Sequence, residues 1–336
     1  AAAEFTEPDF SAPPSDGADF SEIKGQERAR RAMEIAAAGG HNILMVGPPG
    51  TGKSMLAKRL PTIMPRMSFE ESVEVTKIHS ASGTLDSESG LVTVRPFRSP
   101  HHTMSAPALV GGGAIPMPGE ISLASGGVLF LDELPEFNKA VTESMRQPLE
   151  DGQVTITRAA GRVTYPSRFM LVCAMNPCRC GYYGSGIREC TCRREDIKKY
   201  LSKISGPLLD RIDIQVELPA LSFDELTREE KSESSAQIRA RVEDARSLAV
   251  RRMGSASACN AAMTRSEIRE FCAVGDASLR LLKTAFEKMN LSARGYDRVL
   301  RVARTVADLA HSESIEPQHV AEAIQLRSLD KKYFGI

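Results

Sequence analysis

Short apolar runs alternate with helix-forming segments through the first two-thirds of the chain. Each run is bounded by Gly, Pro or charged residues, which is typical of buried parallel strands. The runs predict four strands: Asn42 to Val46, Val128 to Leu131, Phe169 to Met175 and Ile212 to Leu218. Composition and apolar spacing predict four helices around them: Gln26 to Ala38, Lys53 to Leu60, Phe69 to His79 and Lys139 to Leu149. This alternation predicts an α/β domain with a parallel sheet.

Beyond Pro219 the pattern becomes almost wholly helical. The predicted helices are Phe223 to Arg252, Arg265 to Cys272, Ala277 to Met289, Ser292 to His311 and Pro317 to Leu326. We therefore expect an α/β core over residues 19–221 and an all-α lid over residues 222–336. Residues 1–18 are rich in Pro, Asp, Ser and Ala, so a disordered lead-in is expected, in which Ala1 to Phe5 resemble residues added in cloning.

Two segments of the core depart from simple alternation. Residues 83–120 hold many Gly, Pro and Ser residues. They are too long for a passive connection, so we interpret them as a functional insertion. Within this insertion, Leu91 to Val94 predict one strand of a small hairpin. Val154 to Thr157 and Arg162 to Tyr165 are β-prone runs around a short turn, which predicts a second hairpin over residues 153–165.

Composition narrows the class of protein only slightly. The chain has 336 residues, 42% of them apolar, and a formal net charge of +0. A neutral chain leaves any contact with nucleic acid to a local basic patch. The sequence has no apolar run of about 18 residues, so no membrane span is predicted. It also shows no secretion signal, so a cytoplasmic protein is expected.

A phosphate-binding loop is predicted directly after the first strand. Its residues fit the pattern G-x-x-x-x-G-K-[ST], between a strand and a helix. Backbone N–H groups and the helix N-terminus would face phosphate oxygens there. Lys53 is expected to reach the β- and γ-phosphates of ATP, and Ser54 to hold Mg²⁺. The predicted loop consists of Gly47, Pro48, Pro49, Gly50, Thr51, Gly52, Lys53 and Ser54.

Polar side chains end two of the other predicted strands. Asp132 and Glu133 follow Val128 to Leu131, and Asn176 follows Phe169 to Met175. Since carboxyl ends of parallel strands share one sheet edge, Asp132 is expected beside the phosphate loop, in contact with Mg²⁺. Glu133 would act as the general base toward the attacking water, and Asn176 would orient that water.

Two arginines are candidates for completing the site. Arg211 lies in Gly206-Pro-Leu-Leu-Asp-Arg-Ile-Asp, just before the last strand, and Arg294 begins a predicted lid helix. Arg211 could stabilise the transferring phosphoryl group, from a neighbouring subunit if necessary. Arg294 could clamp the nucleotide when the lid closes. A surface ion pair is the alternative for each residue.

These motifs together resemble the AAA+ superfamily, within the helix-2-insert clade of magnesium chelatase and the MCM helicases. The sequence is most similar to the ComM/YifB magnesium-chelatase-like family. The similarity spans about residues 19–328. The stretches that carry it are Arg95 to His102, Gly111 to Gly113, Pro118 to Ala124, Val128 to Phe137, Met175 to Cys178, Gly206 to Asp213 and Ser292 to Asp308.

The resemblance implies an ATPase with an αβα AAA+ domain and a helical lid. It assigns Lys53 and Ser54 to Walker A, Asp132 and Glu133 to Walker B, and Asn176 to sensor 1. Arg211 resembles the arginine finger and Arg294 the sensor-2 arginine. Proteins like ComM are hexameric helicases that promote branch migration in natural transformation. The family usually has a Lon-protease-like N-terminal domain, and the residues before the predicted α/β core are not expected to form one.

DNA contacts are expected from two hairpins that helicases of this clade push into the ring channel. By resemblance they are residues 83–100, with Arg95 and Arg98, and the hairpin with Arg158 and Arg162. From Arg158 to Arg211 there are 11 Lys or Arg residues and 4 Asp or Glu residues, an excess of seven positive charges. This excess favours sequence-independent phosphate contacts. The alternative is that these arginines face solvent or pair with acids.

Four cysteines cluster within residues 177–193. Cys178, Cys180, Cys190 and Cys192 form a C-x-C, C-x-C pair that could bind Zn²⁺ tetrahedrally. Free thiols or a regulatory disulfide are the alternatives, because a C-x-C pair crowds its two ligands.

Two other functions stay open at this stage. A motor subunit for metal insertion, as in magnesium chelatase, would have the same ATPase site. A protein-remodelling ATPase would also have it, although no aromatic pore loop of the unfoldase kind is present in the sequence.

Overall fold

The computed structural model describes residues 10, 17–85, 90–158, 161–227, 232–289 and 291–335. Its centre is a five-stranded parallel sheet with the strand order β2-β5-β8-β1-β9. The strands of the described chain are β1 Ile43–Val46, β2 Phe97–Arg98, β3 Gly111–Gly112, β4 Met117–Pro118, β5 Val128–Leu131, β6 Gln153–Arg158, β7 Gly161–Pro166, β8 Met170–Met175 and β9 Ile214–Glu217. The four predicted sheet strands are confirmed as β1, β5, β8 and β9.

The prediction of a strand at Leu91 to Val94 is wrong. These residues have no regular structure, and the strand of this segment is β2, which pairs Phe97 with Val128. Phe97 also stacks on Phe130, with ring centroids 6.0 Å apart. Apolar alternation could not identify a two-residue strand, because its partner is more than 30 residues away along the chain.

Helices cover both faces of the sheet. The first ten are α1 Glu27–Gly39, α2 Lys53–Ile63, α3 Phe69–Ala81, α4 Ala106–Val110, α5 Glu120–Leu123, α6 Lys139–Ser144, α7 Arg146–Asp151, α8 Arg194–Leu201, α9 Gly206–Leu209 and α10 Phe223–Thr227. The last five are α11 Ser235–Met253, α12 Arg265–Phe271, α13 Asp276–Met289, α14 Ala293–Leu309 and α15 Pro317–Gln325. Among the described residues, no helix is both long and apolar enough to cross a membrane.

Alternate residues of each buried strand enter separate apolar cores. Ile43 and Met45 of β1 pack with Phe130 on the face covered by α1 and α2. Leu44 and Val46 enter the other core. Because successive strand side chains point to opposite faces, this division produces three layers, helix, sheet and helix.

Two predicted helices are divided. The segment Lys139 to Leu149 forms α6 and α7, with Met145 between them. Pro148 lies in the first turn of α7, where its missing N–H costs no helical hydrogen bond. The helix predicted from Phe223 to Arg252 is also two helices, because α11 has its own capping box between Ser234 and Gln237.

The C-terminal helices pack at the amino edge of the sheet. Arg246 of α11 donates to the carbonyls of Ala37 and Ala38 at the end of α1. His41, just before β1, lies 2.8 Å from Thr305 Oγ1 of α14. The apolar residues of α11, α14 and α15 continue the core on the α1 face. These contacts place the middle of α11 and of α14 at the amino edge of the sheet, whereas Lys332 and Tyr333, after α15, donate to Glu217 at the carboxyl end of β9.

Candidate functional site

The loop after β1 has a backbone that requires glycine at three positions. Gly50 and Gly52 have φ angles of 77° and 87°, in the left-handed region. At Gly47, a side chain would collide with the carbonyl oxygen of Leu218, 2.5 Å from the Cβ position. The Thr51 hydroxyl closes the turn by donating to the carbonyl of Pro48 over 3.0 Å. The predicted loop therefore has a fixed shape, with its N–H groups at the start of α2.

Lys53 connects this loop to the end of β8. Its buried ammonium group donates to the carbonyls of Gly47 and Pro48, both at 2.7 Å, and to Asn176 Oδ1 at 3.2 Å. Burial lowers the pKa of Lys53 to about 8, although the charges of Asp132 and Glu133 oppose the shift. The ammonium group is held where a phosphate oxygen could replace the carbonyls.

Ser54 and Asp132 bring two oxygen atoms together that could both bind one metal ion. The Ser54 hydroxyl donates to Asp132 Oδ2 over 2.7 Å. Asp132 also accepts from the Glu133 N–H at 2.9 Å through its other carboxylate oxygen. Hydroxyl and carboxylate oxygens are ligands that Mg²⁺ prefers, so the donor set fits this ion.

Glu133 is exposed and lies just beyond Asp132. Its φ of 53° is unusual for a residue other than glycine and turns the chain sharply after β5. His102 of the insertion lies close by, with its Nδ1 3.7 Å from Glu133 Oε2. The His102 ring also contacts Phe137 edge to face. His102 ends the stretch Arg95 to His102 that carries the family resemblance, but the sequence could not predict this contact.

Gln26 supports the phosphate loop and was not identified from the sequence. Its side-chain amide donates to the carbonyl of Pro219 at 2.7 Å and to that of Thr51 at 3.4 Å. The buried Oε1 atom of Gln26 has no hydrogen-bond partner in the described part of the chain. A buried acceptor beside the loop fits a ligand that brings its own N–H groups.

Arg211 and Arg294 lie away from the phosphate loop of their own chain. Both line a groove of about 930 Å³ that also contains Asn42 and Gly127, which directly precede β1 and β5. These residues mark the amino edge of the sheet, whereas Gly47 follows the carboxyl end of β1. The expectation that Arg294 clamps a nucleotide stays a prediction, and this groove lies away from the phosphate loop of its own chain.

The groove is rich in paired charges. Arg211 forms an ion pair with Glu150, and the buried Arg298 donates to Asp210 Oδ1 at 3.0 Å. Asp210 and Arg298 were not selected from the sequence. The sequence pointed to this surface through Arg211 and Arg294, which lie close in sequence to Asp210 and Arg298.

The four arginines expected to bind DNA fall into two pairs. Arg95 donates to the carbonyls of Pro65 and Gly126 and pairs with Glu71 at 3.0 Å. Arg98 makes two hydrogen bonds to the Glu120 carboxylate, at 2.6 and 2.7 Å. These contacts favour structural roles for Arg95 and Arg98, because their guanidinium groups already have acceptors.

Arg158 and Arg162 differ from Arg95 and Arg98 in their exposure and in their partners. They are cross-strand neighbours near the tip of the exposed hairpin, where Thr157 is in register with Arg162. Within the part of the chain that the structure describes, neither guanidinium pairs with a carboxylate. The predicted hairpin is confirmed as β6 and β7, although residues 159 and 160 of its turn lie outside the described residues. Val154 and Ile156 hold its base against the core.

The four clustered cysteines come together after β8. Their sulfur atoms all lie within 4.8 Å of one another, and all four thiols are free. Cys178 is buried, whereas Cys180, Cys190 and Cys192 are half-buried. The remaining cysteines, Cys173, Cys259 and Cys272, lie elsewhere.

The phosphate loop, the acidic pair Asp132 and Glu133, and Asn176 at the end of β8 all lie at one edge of a parallel sheet, and a helical domain follows in the chain. This arrangement defines an AAA+-like P-loop ATPase. The chain belongs to the ComM/YifB family of magnesium-chelatase-like AAA+ proteins. The family described as magnesium chelatase, subunit ChlI, matches residues 19–226, and the family of its C-terminal part matches residues 232–327. This family implies ATP and Mg²⁺ as ligands.

Individual relatives agree with this family. The chain is 45% identical over 313 residues to competence protein ComM of Haemophilus influenzae, covering 93% of this chain and 60% of that protein. It is 44% identical over 314 residues to YifB of Escherichia coli, covering 93% and 61%. The magnesium-chelatase 38 kDa subunit of Cereibacter sphaeroides is 26% identical over 174 residues, covering 47% and 52%. The chain thus spans about 60% of the length of the ComM and YifB proteins.

Proposed function

We propose that this protein hydrolyses ATP at the loop after β1 and uses the energy to move DNA. The observation that supports the ATPase most directly is the meeting of Lys53, Ser54, Asp132 and Asn176 at one sheet edge. Lys53 contacts Asn176, and Ser54 contacts Asp132, although the motifs are far apart in sequence. Chance glycine turns do not bring such groups together.

Each residue has a distinct role in the proposed reaction. The loop N–H groups and Lys53 bind the phosphates and balance their charge. Ser54 and Asp132 would hold Mg²⁺, which would withdraw charge from the phosphate oxygens. Glu133 accepts a proton from the attacking water, and Asn176 orients that water. Glu133 is exposed and directly follows Asp132.

A ring of identical subunits is the proposed working form, with six as the number expected for the family. Arg211 and Arg294 lie at the amino edge of the sheet, so they cannot reach the loop at the carboxyl edge of their own subunit without large movements. They would instead complete the site of a neighbour, where arginine stabilises the charge of the transferring phosphoryl group. Glu150 holds Arg211 until that neighbour's nucleotide replaces it as a partner.

DNA is the proposed substrate of the motor, and its branch migration the proposed outcome, which would place the protein in the cytoplasm. The support comes from Arg158 and Arg162, which are exposed on a protruding hairpin without carboxylate partners among the described residues. Such a tip suits phosphate contacts that do not depend on sequence. The name of the Haemophilus relative, a competence protein, agrees with a DNA-related role.

Two metals belong to the proposal. Mg²⁺ accompanies ATP at Ser54 and Asp132, and Zn²⁺ is the ion proposed for the four clustered cysteines.

The test is ATP turnover with and without forked DNA. We expect DNA to stimulate turnover, and the double variant Arg158→Ala, Arg162→Ala to lose this stimulation while basal turnover survives. Arg251→Ala removes an exposed arginine on α11 and should behave as the wild type. If DNA neither binds nor stimulates, the DNA proposal is wrong. Stimulation by a porphyrin-inserting partner or by unfolded protein would favour the metal-insertion or remodelling alternative.

A further inference from the structure

The four cysteine sulfurs have the spacing of a metal site. Cys178 Sγ lies 3.3 Å from Cys180 Sγ and 3.7 Å from Cys190 Sγ, and the latter two sulfurs are 3.6 Å apart. Four thiolates around one Zn²⁺, each at about 2.3 Å, would be roughly 3.8 Å apart. A disulfide would need about 2.05 Å. One ion can therefore contact all four sulfurs after only small movements.

The segment that holds these cysteines has no regular secondary structure to order it. Residues 177–193 form no helix or strand between the end of β8 and the start of α8. Gly181, Gly184 and Gly186 all have φ angles between 70° and 86°, so the chain turns repeatedly. A long loop without regular structure has a high entropic cost of ordering, and a metal cross-link offsets that cost. We call residues 177–193 the cysteine loop.

The cysteine loop touches the phosphate loop directly. A Cβ atom at Gly181 would lie 2.5 Å from Cδ and 2.8 Å from Cγ of Pro49. The backbone of the cysteine loop therefore packs against the phosphate loop so closely that only glycine fits. Cys178 is also just two residues after Asn176, whose Oδ1 accepts from Lys53. The loop thus meets the site at two points, Pro49 and Asn176.

We propose that one Zn²⁺, bound by Cys178, Cys180, Cys190 and Cys192, makes the cysteine loop a clamp on the phosphate loop. The ion fixes Gly181 against Pro49 and holds the strand end that presents Asn176. The proposal rests on nucleotide binding at the phosphate loop, but not on DNA or on ring formation. Loss of the ion would loosen both contacts, so the protein would bind ATP more weakly.

The first experiment measures zinc and nucleotide binding on the same preparations. We expect about one Zn²⁺ per chain by elemental analysis of protein grown with zinc. The double variant Cys190→Ser, Cys192→Ser leaves Cys178 in place, and should lose zinc. Its Kd for a fluorescent ATP analogue should rise about tenfold, because the loop that positions Pro49 is released. Wild-type protein without zinc, or a zinc-free variant that folds and keeps the wild-type Kd, would overturn the proposal.

Two glycine substitutions distinguish an effect of the clamp on nucleotide binding from a general effect on folding. Gly181→Ala keeps all four thiols but forces a methyl group against Pro49. Gly186→Ala is the matched control, since Gly186 has a similar φ of 72° and no atom within 4 Å of its Cβ position. We expect both variants to retain zinc, and only Gly181→Ala to weaken binding of the ATP analogue, by about tenfold. Equal affinities for the two variants would overturn the clamp even if the cysteine variant fails to fold.

A failure of the zinc clamp can be distinguished from a failure of the proposed ATPase site. Binding of the ATP analogue is measured without turnover and without DNA. If Lys53→Ala binds the analogue as tightly as the wild type, the nucleotide does not occupy the phosphate loop, and the proposed ATPase site is wrong. If Lys53→Ala abolishes binding but Gly181→Ala does not change it, only the clamp is wrong.

Discussion

Ser54 and Asp132 are joined by a hydrogen bond of 2.7 Å, although 77 residues separate them in the chain. The pair places a hydroxyl oxygen and a carboxylate oxygen at the distance that two ligands of one small cation adopt. The phosphate loop and the end of β5 are therefore already in the arrangement that Mg²⁺ binding requires.

Replacing Ser54 with Ala should make ATP turnover depend on higher Mg²⁺ concentrations. The variant removes one proposed ligand and leaves Asp132, so we expect the Mg²⁺ concentration for half-maximal turnover to rise about tenfold. A Mg²⁺ titration of the turnover rate measures this. Ser144→Ala, on α6, is the control, since its hydroxyl only bonds within its own helix. An unchanged Mg²⁺ requirement in Ser54→Ala would remove Ser54 from the site.

ATP affinity should fall as the pH rises above about 8. Burial lowers the pKa of Lys53 to about 8, so the ammonium group is largely charged at pH 7 and largely neutral at pH 9. Bound phosphates favour the charged form, so above pH 8 binding must include proton uptake. We expect the Kd to rise by about fivefold between pH 8 and pH 9.

Calorimetry in buffers of different ionisation enthalpy checks this proton uptake. Lys53→Arg is the control, because an arginine stays charged over the whole range. Its affinity is expected to be weaker but independent of pH. A wild-type Kd that is constant from pH 7 to pH 9 would show that Lys53 does not titrate there.

The carboxyl edge of the sheet was predictable because its geometry follows from strand order alone. Gly47, Asp132 and Asn176 each follow an apolar run, and parallel strands end at a common edge. Contacts made by loops were not predictable in the same way. The approach of Gly181 to Pro49 and of His102 to Glu133 depends on the path of irregular segments, which have no periodic pattern.

For the helical part, the sequence predicted the helices but not where they pack. Its helices were predictable from their spacing, apart from the break before Ser235. Their position relative to the sheet was not, because it depends on contacts such as His41 with Thr305, which are 264 residues apart. The sequence predicted that Arg294 clamps a nucleotide, but it could not predict that this arginine lies in the groove at the amino edge of the sheet.

Arg95→Ala should destabilise the fold without weakening DNA binding. The variant removes the ion pair to Glu71 and leaves the carbonyls of Pro65 and Gly126 without this donor. A loss of about 2 kcal/mol in the free energy of unfolding is expected, since two backbone carbonyls and the half-buried Glu71 lose a charged donor. Denaturant unfolding and DNA-binding assays on the same protein measure both effects.

Arg158→Ala is the matched comparison for Arg95→Ala. Arg158 is exposed, so its loss should change the free energy of unfolding by less than about 0.5 kcal/mol while lowering DNA affinity. If Arg95→Ala were as stable as the wild type but failed to bind DNA, the roles inferred for these two arginines would be reversed.

Mixed subunits can show whether Arg211 acts on a neighbour. Arg211→Ala keeps the phosphate loop and Glu133, and Glu133→Gln keeps Arg211, so each variant alone should bind ATP but hydrolyse it poorly. In a one-to-one mixture, about a quarter of the interfaces would combine an intact loop with an intact arginine from the neighbour. We therefore expect the mixture to recover about a quarter of wild-type turnover. Lys53→Ala mixed with Glu133→Gln is the control, since both changes damage the same side of the interface and no pairing restores it. If the first mixture is as inactive as its components while assembly is intact, Arg211 does not serve the adjacent site, and the ring loses its main structural argument.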